Sequence, residues 1–417
     1  MIHCELRKDG GGALRVLILN QFFYPDVSAT SQLMTDLAGD LAAQGVEVTA
    51  LCSNSSYVGN RPLANSEMRG GVRIERVSVI GFSRQNIMRR LGSYLSFYVS
   101  AFFRVLRLPR QDVILVLTTP PLIALVAYLV RVLRGSRMAY LVQDVYPEIA
   151  FEFGLLKPGS IFGRLLSGIA TFLLKKADIV IALGTCMQAR LLAKGLDNRK
   201  IHVIPNWADG AEVRPIPRAE NPFRTAHGLE DSFIVLYSGN MGRAHDFSVI
   251  LQGMEALAKE KDVVFVFVGR GPKRDEIVAF TESHPEVNVR LLDYVPREDL
   301  KLSMGAADIS ILAVADGLEG LVVPSKLYGI MASGRPALYV GPANSEAAHT
   351  IVAHGCGIVV SNSDVAGFCR AILEARGDPA KAEAMGVAGR AAFEQRFDRR
   401  VATQHYYELL TRLVKAS

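Results

Sequence analysis

Short, largely apolar runs alternate with longer stretches of helical periodicity, and this alternation constrains the fold more than any other feature of the sequence. In the first half the apolar runs lie at residues 14–20, 47–52, 113–117, 138–142, 179–182 and 201–204. Strands that are apolar on both faces are typical of parallel sheets covered by helices on both sides. The sequence therefore predicts an α/β fold with parallel sheets.

The pattern restarts after a stretch rich in proline and polar residues. Further apolar runs lie at residues 233–237, 263–268, 289–292, 309–312, 337–340 and 357–360. We therefore predict a flexible leader over 1–13, an N-terminal α/β domain over 14–205, a linker over 206–222, a second α/β domain over 223–395 and a C-terminal helix over 396–417. Ligands of open α/β sheets bind beyond the carboxyl ends of the strands, so the cleft between the two domains is the expected site.

Composition excludes several classes of protein. Half of the 417 residues are hydrophobic, which rules out overall disorder. The five cysteines are scattered and form no C-x-x-C pair, so neither a disulfide framework nor a zinc knuckle is indicated. The net charge of +6 favours an anionic partner.

Residues 113–130 carry no charge, which raises the possibility of a membrane-spanning helix. Prolines in the middle of this stretch argue against one continuous helix. We predict a buried strand over 113–117, followed by a helix that begins at Pro120-Pro121 with Thr119 as its N-cap. The spanning helix remains the alternative.

Several polar and glycine residues follow the predicted strands of both halves. Gly239, Gly242, Gly269 and Gly271 are suited to close backbone approach to a phosphate, although ordinary turn glycines are the alternative. No G-x-G-x-x-G fingerprint or P-loop is present.

Charged residues near these strand ends are candidates for the same site. Arg243 could hold a diphosphate through charge-assisted hydrogen bonds, and Lys326 is a second candidate cation, although surface cations are commonly only solvated. Asp144 follows the run at 138–142 after one intervening residue, where a carboxylate is placed for a site or serves as a helix cap or turn residue.

Basic and aromatic residues are concentrated between positions 84 and 110. Apolar and aromatic side chains there are flanked by Arg84, Arg89, Arg90, Arg104, Arg107 and Arg110. This combination favours an interfacial segment on an anionic lipid surface. A core helix with a solvated rim is the alternative. Nucleic acid is not an expected partner, because no recognition fold accompanies the segment.

Six stretches, taken together and in order, resemble the retaining GT-B glycosyltransferases of family four. They are residues 20–26 (NQFFYPD), 119–121 (TPP), 143–148 (QDVYPE), 204–209 (IPNWAD), 237–242 (YSGNMG) and 317–328 (GLEGLVVPSKLY). The sequence looks most like the branch that builds bacterial surface polysaccharide, including colanic-acid and O-antigen transferases of the fucosyl or N-acetylfucosaminyl type. The resemblance implies a GT-B fold, with two Rossmann-like domains facing each other across a cleft and a C-terminal helix that packs back on the first.

The resemblance also implies a reaction. A hexosyl or deoxyhexosyl group would pass from a UDP- or GDP-sugar to a lipid-linked or oligosaccharide acceptor, with retention and with no required cofactor or metal. The product would be capsule, exopolysaccharide or O-antigen, and an undecaprenyl-diphosphate-linked sugar is the expected acceptor. The protein is expected in the cytoplasm, peripheral at the inner face of the cytoplasmic membrane through residues 84–110.

Site residues follow from the same resemblance. Asp144 would orient the sugar or acceptor, Glu319 would bind donor sugar hydroxyls, and Arg243 would stabilise the leaving diphosphate. Donor binding is expected at Gly239, Asn240, Gly242, Arg243, His245, Gly269, Gly271, Tyr294, Val295, Glu319, Gly320, Ser325 and Lys326. Backbone contacts to the base are expected in the 294–295 loop, and no metal site is expected.

Three departures from the family pattern affect these expectations. Gln143 stands where the family often has histidine. Asn240 and His245 stand where it has a phosphate-binding Arg and Lys, which leaves Arg243 as the local substitute. The second carboxylate of the paired-glutamate motif falls on Leu327 or Gly329, so Ser325-Lys326 is expected to take over part of the site.

Two other functions remain open at this point. One is a non-hydrolysing nucleotide-sugar 2-epimerase of similar fold, which would convert the donor without an acceptor. The other is a non-catalytic partner subunit of a transferase complex, which the missing second glutamate suggests and which would not turn over the donor.

Overall fold

A computed structural model describes residues 12–26, 28–54, 63–79 and 87–415. Most of the predicted leader, residues 1–11, and Arg84 lie outside the described residues. By their internal contacts the residues group into two compact units. One extends to Leu141 and includes Phe172–Val180 and the chain from Tyr406 onward, and the other comprises Val142–Thr171 and Ile181–His405. The domain boundaries drawn from the sequence stay a prediction.

Eight strands form the first sheet, and every apolar run of the first half lies on one of them. In chain order they are β1 (Arg15–Leu19), β2 (Glu47–Ser53), β3 (Ser66–Arg69), β4 (Val72–Val77), β5 (Val113–Val116), β6 (Arg137–Val142), β7 (Ile179–Ala182) and β8 (Ile201–Val203). Their order in the sheet is β3-β4-β2-β1-β5-β6-β7-β8. β1 pairs in parallel with both β2 and β5, whereas β3 and β4 are antiparallel.

Six α-helices accompany these strands within the described residues. They are α1 (Ala29–Ala43), α2 (Ile87–Arg107), α3 (Ala124–Arg134), α4 (Glu148–Glu152), α5 (Ile161–Lys176) and α6 (Thr185–Ala193). The charge-free stretch at 113–130 is divided between β5 and α3, as the strand–turn–helix prediction requires. Among the residues that the structure describes, no helix has both the length and the apolar character needed to cross a membrane.

Two expectations for this half were wrong or incomplete. The helix after β5 begins at Ala124 rather than at Pro120, and Ile123 rather than Thr119 occupies the N-cap position. The reason is that Leu122 has a φ of 66°, a left-handed conformation that a right-handed helix cannot include. The β3–β4 hairpin was not predicted, although its turn residues Gly70 and Gly71, with φ of 55° and 80°, are a known hairpin signal.

The second sheet has six parallel strands at the positions that the second series of apolar runs predicted. They are β9 (Phe233–Ser238), β10 (Val263–Val268), β11 (Val289–Leu292), β12 (Ile309–Ala313), β13 (Ala337–Val340) and β14 (Gly357–Val360). Their order is β11-β10-β9-β12-β13-β14. The chain therefore builds outward from β9 on one side and then crosses to β12 on the other, which makes the carboxyl ends of β9 and β12 the topological switch point.

Helices cover both faces of this sheet. They are α7 (Pro222–Ala226), α8 (Ser248–Ala256), α9 (Arg274–Ser283), α10 (Leu300–Gly305), α11 (Lys326–Ala332), α12 (Glu346–His354), α13 (Val365–Gly377) and α14 (Pro379–Arg396). The last helix is α15 (Arg399–Lys415), whose residues from Tyr406 onward belong to the first unit. Along β10, Phe265 and Phe267 belong to one buried cluster while Val264 and Val266 belong to another. Burial on both faces explains why β10 is apolar at every position.

Candidate active site

Two glycine loops meet at the carboxyl ends of β9 and β10. The Gly239 amide donates to the Val268 carbonyl (2.8 Å), and the Met241 amide donates to the Arg270 carbonyl (2.9 Å). Gly239 and Gly269 have φ of 118° and 129°, and a Cβ atom on Gly269 would lie 2.3 Å from the Gly239 carbonyl oxygen. Only glycine fits this approach, so the two loops form a compact platform of closely packed backbone at the end of the sheet.

Lys326, the first residue of α11, lies across this platform. Its Nζ donates to the Tyr237 Oη (2.5 Å) and to the Asn240 carbonyl (2.6 Å), and it lies 3.3 Å from His245 Nε2. A Cβ on Gly239 would come within 2.8 Å of the Lys326 Cε, so the lysine stem passes directly over the glycine. The sequence predicted Gly239, Asn240, His245 and Lys326 as site residues, and the structure brings these four together.

His245 is held as a neutral acceptor for this lysine. Its Nδ1 lies 2.5 Å from the Ala313 carbonyl at the end of β12. A carbonyl oxygen can only accept, so Nδ1 carries the hydrogen and Nε2 presents a lone pair towards Lys326. Burial, followed by the positive charge of Lys326, lowers the pKa of His245 to about 3. The imidazole is therefore uncharged at neutral pH.

The Lys326 amine gains or loses its proton near neutral pH. Burial lowers the pKa of its ammonium to about 7. An incoming anion would favour the charged form, because an opposite charge within a few ångströms raises the pKa of a lysine. The group is therefore suited to respond to a phosphate.

Arg243 lies on the loop after β9, between Gly242 and His245. Its side chain is exposed, and within the described part of the chain it makes no ion pair or hydrogen bond. The loop around it is closed by the His245 amide, which donates to the Gly242 carbonyl (3.2 Å). Arg243 is thus available to solvent or ligand, and its role in binding a diphosphate stays a prediction.

The Glu319 loop lies beside Asp144. The Val145 amide donates to the Leu321 carbonyl (3.0 Å), which joins the residue after Asp144 to this loop. On its other side, Arg190 Nε donates to the Glu319 carbonyl (3.0 Å). The backbone of the loop is therefore fixed by two partners from distant parts of the sequence.

Glycine at position 320 permits this packing. Gly320 has a φ of 70°, and a Cβ there would lie 2.6 Å from the Cys186 carbonyl oxygen. Asp144 is half-buried, and burial raises the pKa of its carboxyl to about 6. A carboxylate that is costly to keep ionised fits a group that holds or moves a proton or orients a polar ligand.

Three further residues were predicted for the donor site, Tyr294, Val295 and Ser325, and each has different surroundings. The Tyr294 ring is exposed and borders Gly269, and its Oη donates to the Arg270 carbonyl (3.4 Å), so it flanks the glycine platform. The Val295 side chain instead packs against an apolar cluster, which leaves its backbone as the available part. Ser325 occupies the N-cap position of α11 without a side-chain capping bond.

The missing second carboxylate of the paired-glutamate motif is not supplied at either alternative position. Leu327 is buried in the core, and a Cβ on Gly329 would meet the Met304 side chain at 2.9 Å. Both positions therefore serve packing.

Three contributions were not anticipated from the sequence. Tyr237 provides a hydroxyl to Lys326, Asn206 pairs with Gln143, and Glu346 caps α6 by accepting from the Cys186 amide (2.9 Å). Tyr237 and Asn206 lie within stretches that carry the family resemblance, so their positions gave a signal but their contacts did not. Glu346 gave no signal, since an acidic residue at a helix start is common.

Within the described ranges, no group of three or more His, Cys, Asp or Glu side chains is placed to hold a metal ion. Cationic side chains near the glycine platform include Lys326 of α11, Arg243 of the loop after β9, and Arg270, which forms an ion pair with Asp293.

Comparisons with known proteins identify the family of the chain. The model of the glycosyl transferase 4-like domain matches residues 30–207, and that of the glycosyl transferases group 1 matches residues 232–378. The probable glycosyltransferase WbjE of Pseudomonas aeruginosa is 31% identical over 297 residues, which is 70% of this chain and 74% of WbjE. The putative colanic acid biosynthesis glycosyl transferase WcaI of Escherichia coli is 23% identical over 347 residues, or 80% of this chain and 84% of WcaI.

Solved structures share the fold over nearly the whole chain. Sucrose-phosphate synthase of Thermosynechococcus elongatus matches with a TM-score of 0.79 at 17% identity, covering 97% of this chain and 100% of that one. WaaG, a glycosyltransferase involved in lipopolysaccharide biosynthesis, matches with a TM-score of 0.71 at 16% identity, covering 95% and 99%. Anabaena HepE, in complex with UDP and glucose, matches with a TM-score of 0.71 at 15% identity over the same shares. The predicted fold of two Rossmann-like α/β domains of the GT-B class is confirmed.

Proposed function

Because the chain belongs to the glycosyltransferases that combine a glycosyl transferase 4-like domain with a group 1 domain, we propose that it transfers a hexosyl or deoxyhexosyl group from a UDP- or GDP-sugar, with retention. The acceptor is a lipid-linked sugar or oligosaccharide of bacterial surface polysaccharide synthesis. The names of WbjE and WcaI support this assignment, the latter through colanic acid. HepE, which binds UDP-glucose, supports the donor class.

The observation that carries the proposal is the Lys326 ammonium lying on the glycine platform. Backbone of Gly239 and Gly269 can approach a diphosphate closely, and Lys326 brings a positive charge to the same place. When the sugar–phosphate bond breaks, the departing diphosphate gains negative charge. A fixed cation there stabilises the transition state more than the ground state. Arg243, exposed on the same loop, adds a second cation.

Asp144 and Glu319 act on the sugar side of the reaction. Their two loops are joined by the Val145–Leu321 hydrogen bond, so both carboxylates belong to one local structure. Glu319 binds hydroxyls of the donor sugar, and Asp144 orients the sugar or the acceptor hydroxyl. Donor phosphate oxygens take the acceptor proton on the same face, which is compatible with retention. No metal is required, because Lys326 and Arg243 neutralise the diphosphate.

The acceptor is presented at a membrane surface, and α2 provides the contact. One face of α2 is buried through Phe97, Ala101 and Val105. The opposite face exposes Leu91, Leu95, Val99 and Phe103, each at least 50% exposed. The sequence left open a core helix or an interfacial segment. α2 is compatible with both, because it packs on the core with one face and exposes an apolar stripe on the other.

α3 packs beside α2 and also has exposed apolar residues. Leu125, Leu129, Val132 and Leu133 are each more than 40% exposed there. Exposed apolar residues on two neighbouring helices, together with Arg90 and Arg107 of α2, fit the interface of an anionic bilayer. Arg104, in contrast, pairs with the buried carboxylate of Glu75 and stabilises the fold. We therefore place the protein in the cytoplasm, peripheral at the inner face of the membrane, with an undecaprenyl-diphosphate-linked acceptor.

The test is a transfer assay with and without acceptor. The purified protein is incubated in EDTA with radiolabelled UDP- and GDP-sugars, on anionic vesicles containing undecaprenyl-diphosphate-linked sugar. Label should enter the lipid fraction only when the acceptor is present, and NMR of the product should show the donor's anomeric configuration. Conversion of donor without acceptor would favour the epimerase, and absence of any donor turnover would favour the partner subunit.

A further inference from the structure

The Lys326 ammonium has three hydrogens, and three acceptors surround it. Two are fixed oxygen atoms, the Tyr237 Oη and the Asn240 carbonyl, and the third is His245 Nε2. The ammonium also lies 4.4 Å from the centre of the Tyr237 ring. An ammonium with each hydrogen directed in this way has little rotational freedom, so its charge is held at one point above Gly239.

Among these three partners, His245 is the one whose chemistry can be varied without changing the strand core. The Tyr237 ring packs against Phe247 and Phe267 in the buried cluster on one face of the sheet. Asn240 contacts Lys326 through its backbone carbonyl. The His245 side chain contacts β12 through the Nδ1 hydrogen bond to the Ala313 carbonyl. That bond fixes the tautomer and directs Nε2 at Lys326.

We propose that His245 is a positioning residue for donor binding: its neutral imidazole holds the Lys326 ammonium over the Gly239 loop, where the positive charge of that ammonium attracts the diphosphate of the donor. The inference rests on the proposed function, because it assumes a nucleoside diphosphate at this loop. It adds that the Lys326 ammonium, on α11, is held in place by His245, a residue of the loop after β9. It also explains why an uncharged residue occupies position 245, since a second cation 3.3 Å from Lys326 would be repelled.

The proposal predicts a reversal of sign in a double-mutant cycle. His245→Lys in the presence of Lys326 places two ammonium groups side by side and should weaken UDP or GDP binding at least fivefold. In the Lys326→Ala background the same change returns a cation to the empty position and should strengthen binding at least fivefold. A residue that only fills space would shift both backgrounds in the same direction.

A matched pair of smaller substitutions tests the hydrogen bond itself. His245→Gln can place its side-chain oxygen near the position of Nε2 and so keep an acceptor for Lys326. His245→Asn can keep the donor to Ala313 but lacks that acceptor. We expect UDP or GDP affinity within threefold of wild type for His245→Gln and at least fivefold weaker for His245→Asn. Affinity for uridine or guanosine, which lack phosphate, should change in neither.

Isothermal titration calorimetry of the full-length protein with UDP, GDP and the two nucleosides provides the readout, and circular dichroism verifies folding of each variant. Lys259→Ala, which removes an exposed lysine of the same unit, is the charge control and should bind as wild type does. The inference is overturned if His245→Lys weakens binding in both backgrounds or if the Gln and Asn variants bind equally. Failure of the wild-type protein to bind either diphosphate would overturn the proposed function as well.

Discussion

The side-chain amides of Gln143 and Asn206 exchange two hydrogen bonds. Gln143 Nε2 donates to Asn206 Oδ1 (3.2 Å), and Asn206 Nδ2 donates to Gln143 Oε1 (3.1 Å). Both residues are buried, so this pair fixes the chain immediately before Asp144 to the segment that follows β8. The pair therefore holds the backbone that leads into Asp144.

Breaking this amide pair should destabilise the protein. Gln143→Leu would leave the buried Asn206 amide without its partner and should lower the free energy of unfolding by about 1–3 kcal/mol. The double variant Gln143→Leu/Asn206→Leu removes both polar groups and should recover much of that loss. Urea unfolding followed by circular dichroism measures each variant, and a double variant less stable than the sum of the two single changes would contradict the pairing.

Substitution of Asp144 should separate activity from stability. Asp144→Asn should abolish transfer while leaving UDP or GDP affinity within about twofold. The folded-state pKa of about 6 lies above the unfolded value near 3.8, so ionisation of this carboxyl destabilises the folded state as pH rises through that window. At pH 7.5 the variant should therefore unfold at the same or a higher temperature than wild type. Full transfer activity in Asp144→Asn would reject its role.

Binding of the nucleoside diphosphate should depend on pH through Lys326. Its pKa is lowered to about 7, so the free protein loses this positive charge as the pH rises above 7. Affinity for UDP or GDP should fall severalfold between pH 7 and pH 9, a range in which the phosphates are already ionised. Lys326→Arg keeps its charge throughout this range, so its titration by calorimetry should be nearly flat. Parallel pH profiles for the two proteins would show that another group is responsible.

Methyl groups added to the glycine platform should disrupt it. Gly269→Ala would place a Cβ 2.3 Å from the Gly239 carbonyl oxygen at a φ of 129°, so both loops must move apart. We expect a fall of about 2 kcal/mol or more in unfolding free energy and at least tenfold weaker binding of UDP or GDP. Gly377→Ala, at a position with no heavy atom within 4 Å, is the matched control and should change neither. Unchanged nucleotide affinity in Gly269→Ala would show that the glycine platform is not part of the nucleotide-binding site.

Charged residues on the apolar stripe should release the protein from lipid. Leu95→Asp and Phe103→Asp alter exposed positions of α2, so each should lower binding to anionic vesicles at least tenfold while the melting temperature stays within a few degrees. Arg107→Glu should act in the same direction, with a larger effect at low salt. Met68→Asp, at an exposed position on β3, is the control. Sedimentation with vesicles of phosphatidylglycerol measures the effect, and equal binding by all variants would contradict a membrane-facing α2.

Much of the fold could be predicted from the sequence because its signals are local. A strand buried on both faces must be apolar at nearly every position, and all twelve predicted apolar runs lie on strands. The loop glycines at 239 and 269 could be identified because they directly follow such strands. The start of α3 could not, because it depends on the left-handed conformation of Leu122, which residue type does not predict.

The order of strands and helices, the family motifs and the candidate residues can be read from the amino-acid sequence, since each of these depends on neighbours along the chain. Which candidates meet depends on how the chain folds in three dimensions. Lys326 and His245 are brought within 3.3 Å because α11 begins beside the carboxyl ends of β9 and β12, a consequence of strand order and register rather than of local composition. For the same reason Arg104 forms an ion pair with the buried Glu75, while Leu95 and Phe103 of the same helix stay exposed.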